Sequence, residues 1–296
     1  MSHIPFTKMH GLGNDFVIID DRKDEHVLPF NRIPFLAHRK TGIGFDQFIV
    51  LKRSTRADVF MQILNADNSE VDACGNATRC VAWMIAEQKQ VPHVTIETNA
   101  GILSADITGN QRVRVNMGKP SFEWNTIPLA KNVNTDAVPV DVEGLALPVA
   151  VNVGNPHVVF FTDGSAHTPL AEFGPQVEQH ELFPERVNVS LATVVDDNNI
   201  NLHVWERGAG LTEACGTAAC ATLVAAVKKE LVKPSTSANG EEGDNIYNID
   251  SSLNGDSLAW ANIHLPGGRL RIEWDKEQSG SVFMTGDVAT SFYGAF

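Results

Sequence analysis

The sequence predicts an α+β protein of two similar domains, and three observations lead there. The chain has 296 residues, more than one compact core usually serves, so two domains are the expected division. Two short stretches echo each other, Ala73-Cys74-Gly75-Asn76-Ala77 and Ala214-Cys215-Gly216-Thr217-Ala218, their cysteines 141 positions apart and so close to half the chain. The strand-like and helix-like runs leading to each cysteine come in the same order, which duplication explains most simply.

Composition narrows the class. Hydrophobic residues at 43% and charged residues at 20% describe an ordinary globular protein. The formal net charge of −13, with no basic block, argues against nucleic acid and anionic membrane as partners. No basic segment followed by an apolar core opens the chain, and no apolar run reaches membrane-spanning length, so a cytoplasmic location is expected. The four cysteines fall in pairs spaced 6 and 5, Cys74 with Cys80 and Cys215 with Cys220, neither a zinc-type C-x-x-C. Cys80 and Cys220, inside helical runs, read as small buried hydrophobes.

Taken in order, Phe6 to His10 and Phe16 to Asp20 read as strands around Gly11-Leu12-Gly13-Asn14-Asp15. That G-x-G lacks a third glycine and is followed by a β-type run, so a tight turn carrying Asn14 is expected rather than a dinucleotide loop. Asn31 to Lys40 reads as a helix capped by Asn31, with Gly42 beyond its end. Phe48 to Leu51 and Val59 to Leu64 are strands. The second ends at Asn65-Ala66-Asp67, which delivers the chain to Cys74. Arg79 to Ala86 then supplies helix formers with apolar residues at i, i+3 and i+4. Strands follow at Val94 to Thr98, Leu103 to Ile107 and Val113 to Met117.

The second half repeats the plan. Val149 to Val153 runs through Gly154-Asn155-Pro156-His157 into Val158 to Phe161, and Leu170 to His180 reads as a helix. Val187 to Val189 and Leu202 to Trp205 are strands, the latter leading through Glu206-Arg207-Gly208-Ala209-Gly210 to Cys215 and a helix over Ala219 to Val227. The stretch 234–256, rich in Ser, Asn, Gly and acidic residues, reads as an exposed insertion. A hairpin turns at Pro266-Gly267-Gly268, and Val282 to Met284 and Ser291 to Phe296 return as strands to the first domain. The expected boundaries are residues 1–119 with 281–296, and 120–280.

Each of Cys74 and Cys215 therefore stands at a helix N-terminus. Unpaired N–H groups and the positive end of the dipole there stabilise a thiolate and offer donors to a carboxylate. Two such thiols suit racemisation or epimerisation, one thiolate removing an α-proton while the other thiol delivers one to the opposite face. His157 and Glu206, each at a strand end, are candidate partners that adjust thiol acidity. A structural histidine and a surface ion pair are the plainer readings of those two residues.

The chain closely resembles the diaminopimelate epimerase family. The resemblance runs through Met9-His10-Gly11-Leu12-Gly13-Asn14-Asp15-Phe16, Asn65-Ala66-Asp67, Cys74-Gly75-Asn76, Gly154-Asn155-Pro156-His157, Trp205-Glu206-Arg207-Gly208-Ala209-Gly210 and Ala214-Cys215-Gly216-Thr217. It implies two pseudo-symmetric domains, each a mostly antiparallel curved sheet or barrel around a central helix. It also implies an epimerase without pyridoxal phosphate, other cofactor or metal, converting LL- to meso-diaminopimelate for lysine and peptidoglycan synthesis, with a homodimer as the expected assembly. By the same resemblance Cys74 and Cys215 are base and acid, supported by His157 and Glu206. Asn14, Gln47, Asn65, Asn155, Asn188, Glu206 and Arg207 match substrate-binding positions, and Gly75, Asn76, Gly216 and Thr217 would present N–H groups to the reacting carboxylate.

This sequence departs from the family at Ala77 and Ala218, where glycine is frequent, and at Leu211-Thr212-Glu213, where Glu-Thr is usual. The nearest rival is a proline or hydroxyproline racemase of the same fold. Those typically carry histidine after the first Cys-Gly, where this chain has Asn76. A non-catalytic amino-acid binding protein is a further alternative, although binding alone would not need two thiols, and a phenazine-type isomerase would not call for the cysteine pair.

Overall fold

A computed structural model of the chain describes residues 3–164, 169–233, 258–276 and 279–296. The expected insertion at 234–256 lies outside the described residues. The fold is α+β, in two compact units: Met1–Asn116 with Thr285–Phe296, and Met117–Met284.

In the first unit, β1 (Pro5–Gly11) and β2 (Asn14–Asp20) form an antiparallel hairpin. Its two turn residues, Leu12 and Gly13, have φ of 57° and 84°. Such turns match the right-handed twist of the strands, and glycine adopts them at no steric cost. The G-x-G is thus a hairpin turn, as its neighbours predict. From β2 the chain passes through α1 (Ile33–Ala37) to β3 (Gln47–Lys52), which lies parallel to β2.

The long helix expected from Asn31 is a correction. A single 3-10 turn at Phe30–Arg32 precedes the five-residue α1, and its cap is Arg32, with no side-chain capping bond. Donors from beyond the helix then occupy its last carbonyls, Gly42 N bonding His38 O at 2.8 Å and Ile43 N bonding Leu36 O at 2.8 Å. The chain folds back on itself before a third turn can form.

The unit continues through β4 (Val59–Asn65), antiparallel to β3, and β5 (Glu70–Val71), antiparallel to β4. Next come α2 (Gly75–Lys89) and β6 (His93–Thr98), parallel to β4. β7 (Gly101–Gly109) and β8 (Arg112–Asn116) extend the sheet as a meander. α2 is packed by β1, β2, β6, β7 and β8, and every residue from Gly75 to Ala82 is buried. A helix buried on most of its circumference sits inside a sheet rather than on it.

The second unit follows the same order. β9 (Val149–Asn152) and β10 (Pro156–Thr162) are antiparallel, and α3 (Leu170–Glu178) leads to β11 (Asn188–Asp196), parallel to β10. β12 (Asn199–Glu206) and β13 (Gly210–Thr212) add antiparallel neighbours. After α4 (Gly216–Lys228), β14 (Leu258–Leu265) lies parallel to β12 and pairs with β15 (Gly268–Asp275) across the expected hairpin turn. α4 is packed by β9, β10, β11, β12, β14 and β15. Residues 117–148 lack long elements, yet Ile127, Leu129, Val138 and Val140 join Phe160, Phe173 and Val187 in the core.

The chain passes back to the first unit within β16 (Val282–Asp287). β17 (Ala289–Ala295) then pairs antiparallel with β1, from Pro5 opposite Ala295 to His10 opposite Ala289.

Candidate active site

The residues singled out by sequence occupy equivalent places in the two units. In the first, Asn14 follows the β1–β2 turn, Gln47 begins β3, Asn65 ends β4 and Cys74 caps α2. In the second, Asn155 precedes β10, Asn188 begins β11, Glu206 ends β12 and Cys215 caps α4. Strand pairing brings each set together. Gln47 stands opposite both Phe16 and Asn65, His157 opposite Asn188, and Val189 opposite Trp205.

In the first unit Cys74 is extended, with φ −150° and ψ 110°, and its sulfur accepts the Ala77 N–H at 3.5 Å. This is the N-cap bond usually made by serine or aspartate, here drawn to sulfur. Cys74 Sγ also lies 3.9 Å from Asn14 Oδ1, which accepts Asn76 Nδ2 at 3.1 Å. Gln47 Nε2 donates to Asn65 Oδ1 at 3.1 Å, and Asn65 Nδ2 donates to Ser69 Oγ at 3.0 Å. Gly75 and Asn76 form the buried first turn of α2. Two groups therefore form, Asn14 with Cys74 and Asn76, and Gln47 with Asn65.

In the second unit Cys215 is buried, and its sulfur lies 3.5 Å from the Thr217 hydroxyl in the first turn of α4, just after Gly216. Burial pushes the Cys215 thiol well up. The Glu206 charge adds to that rise, while the Thr217 hydroxyl and the Ala218 amide oppose it. Glu206 Oε1 in turn accepts the Thr212 hydroxyl at 2.5 Å. His157 is fully buried, and burial, reinforced by the Arg207 charge, lowers its pKa to about 3. It is a neutral imidazole at physiological pH, with Nε2 paired to Asn155 Oδ1 at 2.8 Å. Asn188 ties two strand ends together, donating to Pro156 O at 2.9 Å and accepting from Arg207 N at 2.9 Å. The exposed Arg207 guanidinium donates to Glu185 O at 3.0 Å.

The four thiols are not equivalent. All are free. Burial raises Cys80 to about 12, which leaves it inert at neutral pH. Cys74, the one thiol that is not buried, caps a helix with its sulfur on a backbone N–H. Cys215 is held as a thiol beside the Glu206 carboxylate.

Several residues around the site escaped the sequence reading. Lys8 is buried, its Nζ 2.6 Å from both Asp15 Oδ2 and Gly44 O. Arg39 donates to both Asp15 oxygens and to Asp46 Oδ1. Glu178 on α3 accepts from Trp205 Nε1 at 2.7 Å and Gly208 N at 3.0 Å, so it holds the β12–β13 turn. A charged residue on a buried strand face was the available signal for Lys8. Among the described residues, no group of three or more His, Cys, Asp or Glu could hold a metal ion, and no helix is long and apolar enough to cross a membrane.

Each unit is thus α+β, with a cysteine capping its central helix. A Bacillus anthracis protein of the phenazine biosynthesis PhzF family superposes with a TM-score of 0.67 at 16% identity, covering 100% of this chain and 99% of that one. A hydroxyproline epimerase from Agrobacterium vitis, solved with trans-4-hydroxy-L-proline, gives 0.60 at 15% identity, covering 100% and 91%. At such identities the likeness is one of fold alone. The diaminopimelate epimerase family model matches residues 6–123 and 149–291. A diaminopimelate epimerase from Sphingopyxis alaskensis is 49% identical over 293 residues, 98% of this chain and 96% of its own. Another from Erythrobacter litoralis is 46% identical over 296 residues, 99% and 97%. The chain belongs to the diaminopimelate epimerase family, and it is an epimerase, an enzyme of the isomerase class.

Proposed function

We propose that the chain interconverts LL- and meso-diaminopimelate without a cofactor, Cys74 and Cys215 acting as the acid/base pair. One thiolate removes the α-proton, and the other thiol returns a proton to the opposite face, so no net proton is gained or lost. Glu206 receives or restores the Cys215 proton. Neutral His157 serves as a hydrogen-bonding support that adds no charge. The helix starts at Gly75-Asn76 and Gly216-Thr217 bind the reacting α-carboxylate. Asn14, Gln47, Asn65, Asn155, Asn188, Glu206 and Arg207 bind the remaining polar groups.

The observation that carries this reading is the matched placement of Asn14, Gln47, Asn65 and Cys74 in one unit and Asn155, Asn188, Glu206 and Cys215 in the other. A substrate with two amino-acid ends calls for amides and both charges, and polar groups left unpaired would reject an analogue lacking one end. Asn76 in place of histidine separates the chain from proline-type racemases. The reaction would serve lysine and peptidoglycan synthesis in the cytoplasm, by a homodimer.

The deciding experiment is incubation with LL-diaminopimelate in deuterated water, following isomer ratio and α-deuterium together. The expected outcome is approach to an LL/meso mixture with one deuterium gained per inversion. Turnover of proline or hydroxyproline with diaminopimelate untouched would overturn the reading.

A further inference from the structure

We propose that Asp46 is a positioning residue, holding the Asn14 amide in one of its two orientations beside Cys74. The inference rests on the reading of Cys74 as an acid/base group. Asp46 Oδ2 accepts Asn14 Nδ2 at 2.9 Å and Asp15 N at 3.0 Å. A carboxylate oxygen has no proton to give, so only the nitrogen end of the amide can face it. Asn14 Oδ1 is then turned to the other side, where it meets Asn76 Nδ2 at 3.1 Å and Cys74 Sγ at 3.9 Å.

Asp46 is itself pinned. Its N–H donates to Asp15 Oδ1 at 2.9 Å and to Asp15 O at 3.0 Å. Arg39 spans the two carboxylates, 2.9 Å from Asp15 Oδ1 and 2.6 Å from Asp46 Oδ1. Gly44 makes room for this: its φ is +75°, and a Cβ there would stand 3.0 Å from the Arg39 Cα. The charged and titratable groups facing this shell are Lys8 on β1, Asp15 on β2, Arg39 beyond α1 and Asp46 before β3, with Arg79 and Cys80 on α2.

The consequence falls on sulfur. With the amide oxygen toward Cys74, the S–H form has an acceptor and the thiolate faces a lone pair. With the amide reversed, an N–H would face the thiolate and favour it. Asp46 thus keeps Cys74 able to carry a proton despite the helix N-terminus, which pulls the other way.

Alkylation of Cys74 by iodoacetamide at pH 7, followed peptide by peptide by mass spectrometry, reads this without substrate. Asp46→Asn should quicken Cys74 alkylation about threefold or more and lower kcat about tenfold or more, while Asp46→Glu, which keeps the acceptor, stays nearer to wild type. In an Asn14→Ala background the Asp46→Asn change should add less than about twofold to either readout, because its effect passes through the amide. Independent losses that multiply in the double variant would overturn the proposal, as would wild-type alkylation in Asp46→Asn. Should Asp46→Asn not fold, Arg39→Gln, at a side chain 58% exposed, should move alkylation in the same direction by a smaller factor; no movement overturns the proposal. If the wild-type chain leaves diaminopimelate unchanged, the functional reading falls while the alkylation comparison still decides the role of Asp46.

Discussion

Thr212 donates its hydroxyl to Glu206 Oε1 at 2.5 Å, from a three-residue strand whose pairing sets Glu206 opposite Gly210. The bond is short because an ionised acceptor draws the hydroxyl in, and such bonds are about twice as strong as neutral ones. Thr212 therefore fixes where the carboxylate stands relative to Cys215. Thr212→Val should reduce kcat about tenfold and stability by about 1–2 kcal/mol. Thr212→Ser should restore most of both, with kcat from initial rates and stability from urea melts.

The Glu206 charge holds the Cys215 thiol up, on top of the larger effect of burial. Removing the charge while keeping the shape, by Glu206→Gln, should lower the Cys215 pKa without returning it to the ordinary range, since burial remains. Alkylation of Cys215 at pH 8 should quicken while epimerisation slows about a hundredfold. Equal alkylation rates in the two proteins would show that the carboxylate does not act on this sulfur.

Cys74→Ala and Cys215→Ala should each abolish epimerisation in both directions. With one thiolate left, each variant should still exchange the α-hydrogen of a single isomer with retention, Cys74→Ala acting on meso and Cys215→Ala on LL. Mass and chiral analysis of substrate recovered from deuterated water reads both. A folded single variant retaining near-native inversion would rule out the two-thiol mechanism.

His157 carries a prediction about pH and stability. Its folded pKa is about 3 against about 6.5 in the unfolded chain. Between these values the unfolded state binds the extra proton, so stability is complete above about pH 6.5 and falls as pH drops toward 3. The slope contributed by this one group is at most about 1.4 kcal/mol per pH unit. His157→Asn should therefore flatten the loss of Tm between pH 6.5 and 4 relative to wild type, whatever its effect at pH 7. Parallel Tm curves would mean that His157 is not the buried neutral group described above.

Prolonged treatment with a chelator and with carbonyl reagents should leave kcat unchanged. Activity lost on exhaustive metal removal and regained on adding a metal would contradict a thiol-only reaction.

The sequence by itself determined the features that depend on neighbours along the chain. The helices behind Cys74 and Cys215 were legible because an N-cap, a small first turn and apolar spacing are local, and α2 and α4 begin at Gly75 and Gly216 as that reasoning requires. The Leu12-Gly13 turn was legible for the same reason. The helix from Asn31 was misjudged because its end is set by donors from Gly42 and Ile43 that return to its carbonyls, a contact no periodicity encodes.

Tertiary structure alone decided the electrostatics. Lys8, Asp15, Arg39 and Asp46 come from four separate stretches, and none carries a local mark of partnership. The inertness of Cys80 inside its helix was legible in the sequence and desolvation accounts for it, whereas the raised Cys215 thiol results from burial and the Glu206 charge acting together. Spacing along a chain sets hydrogen bonds within a turn, whereas the free energy of a charge depends on everything within several ångströms, and that neighbourhood exists only after the strands have paired.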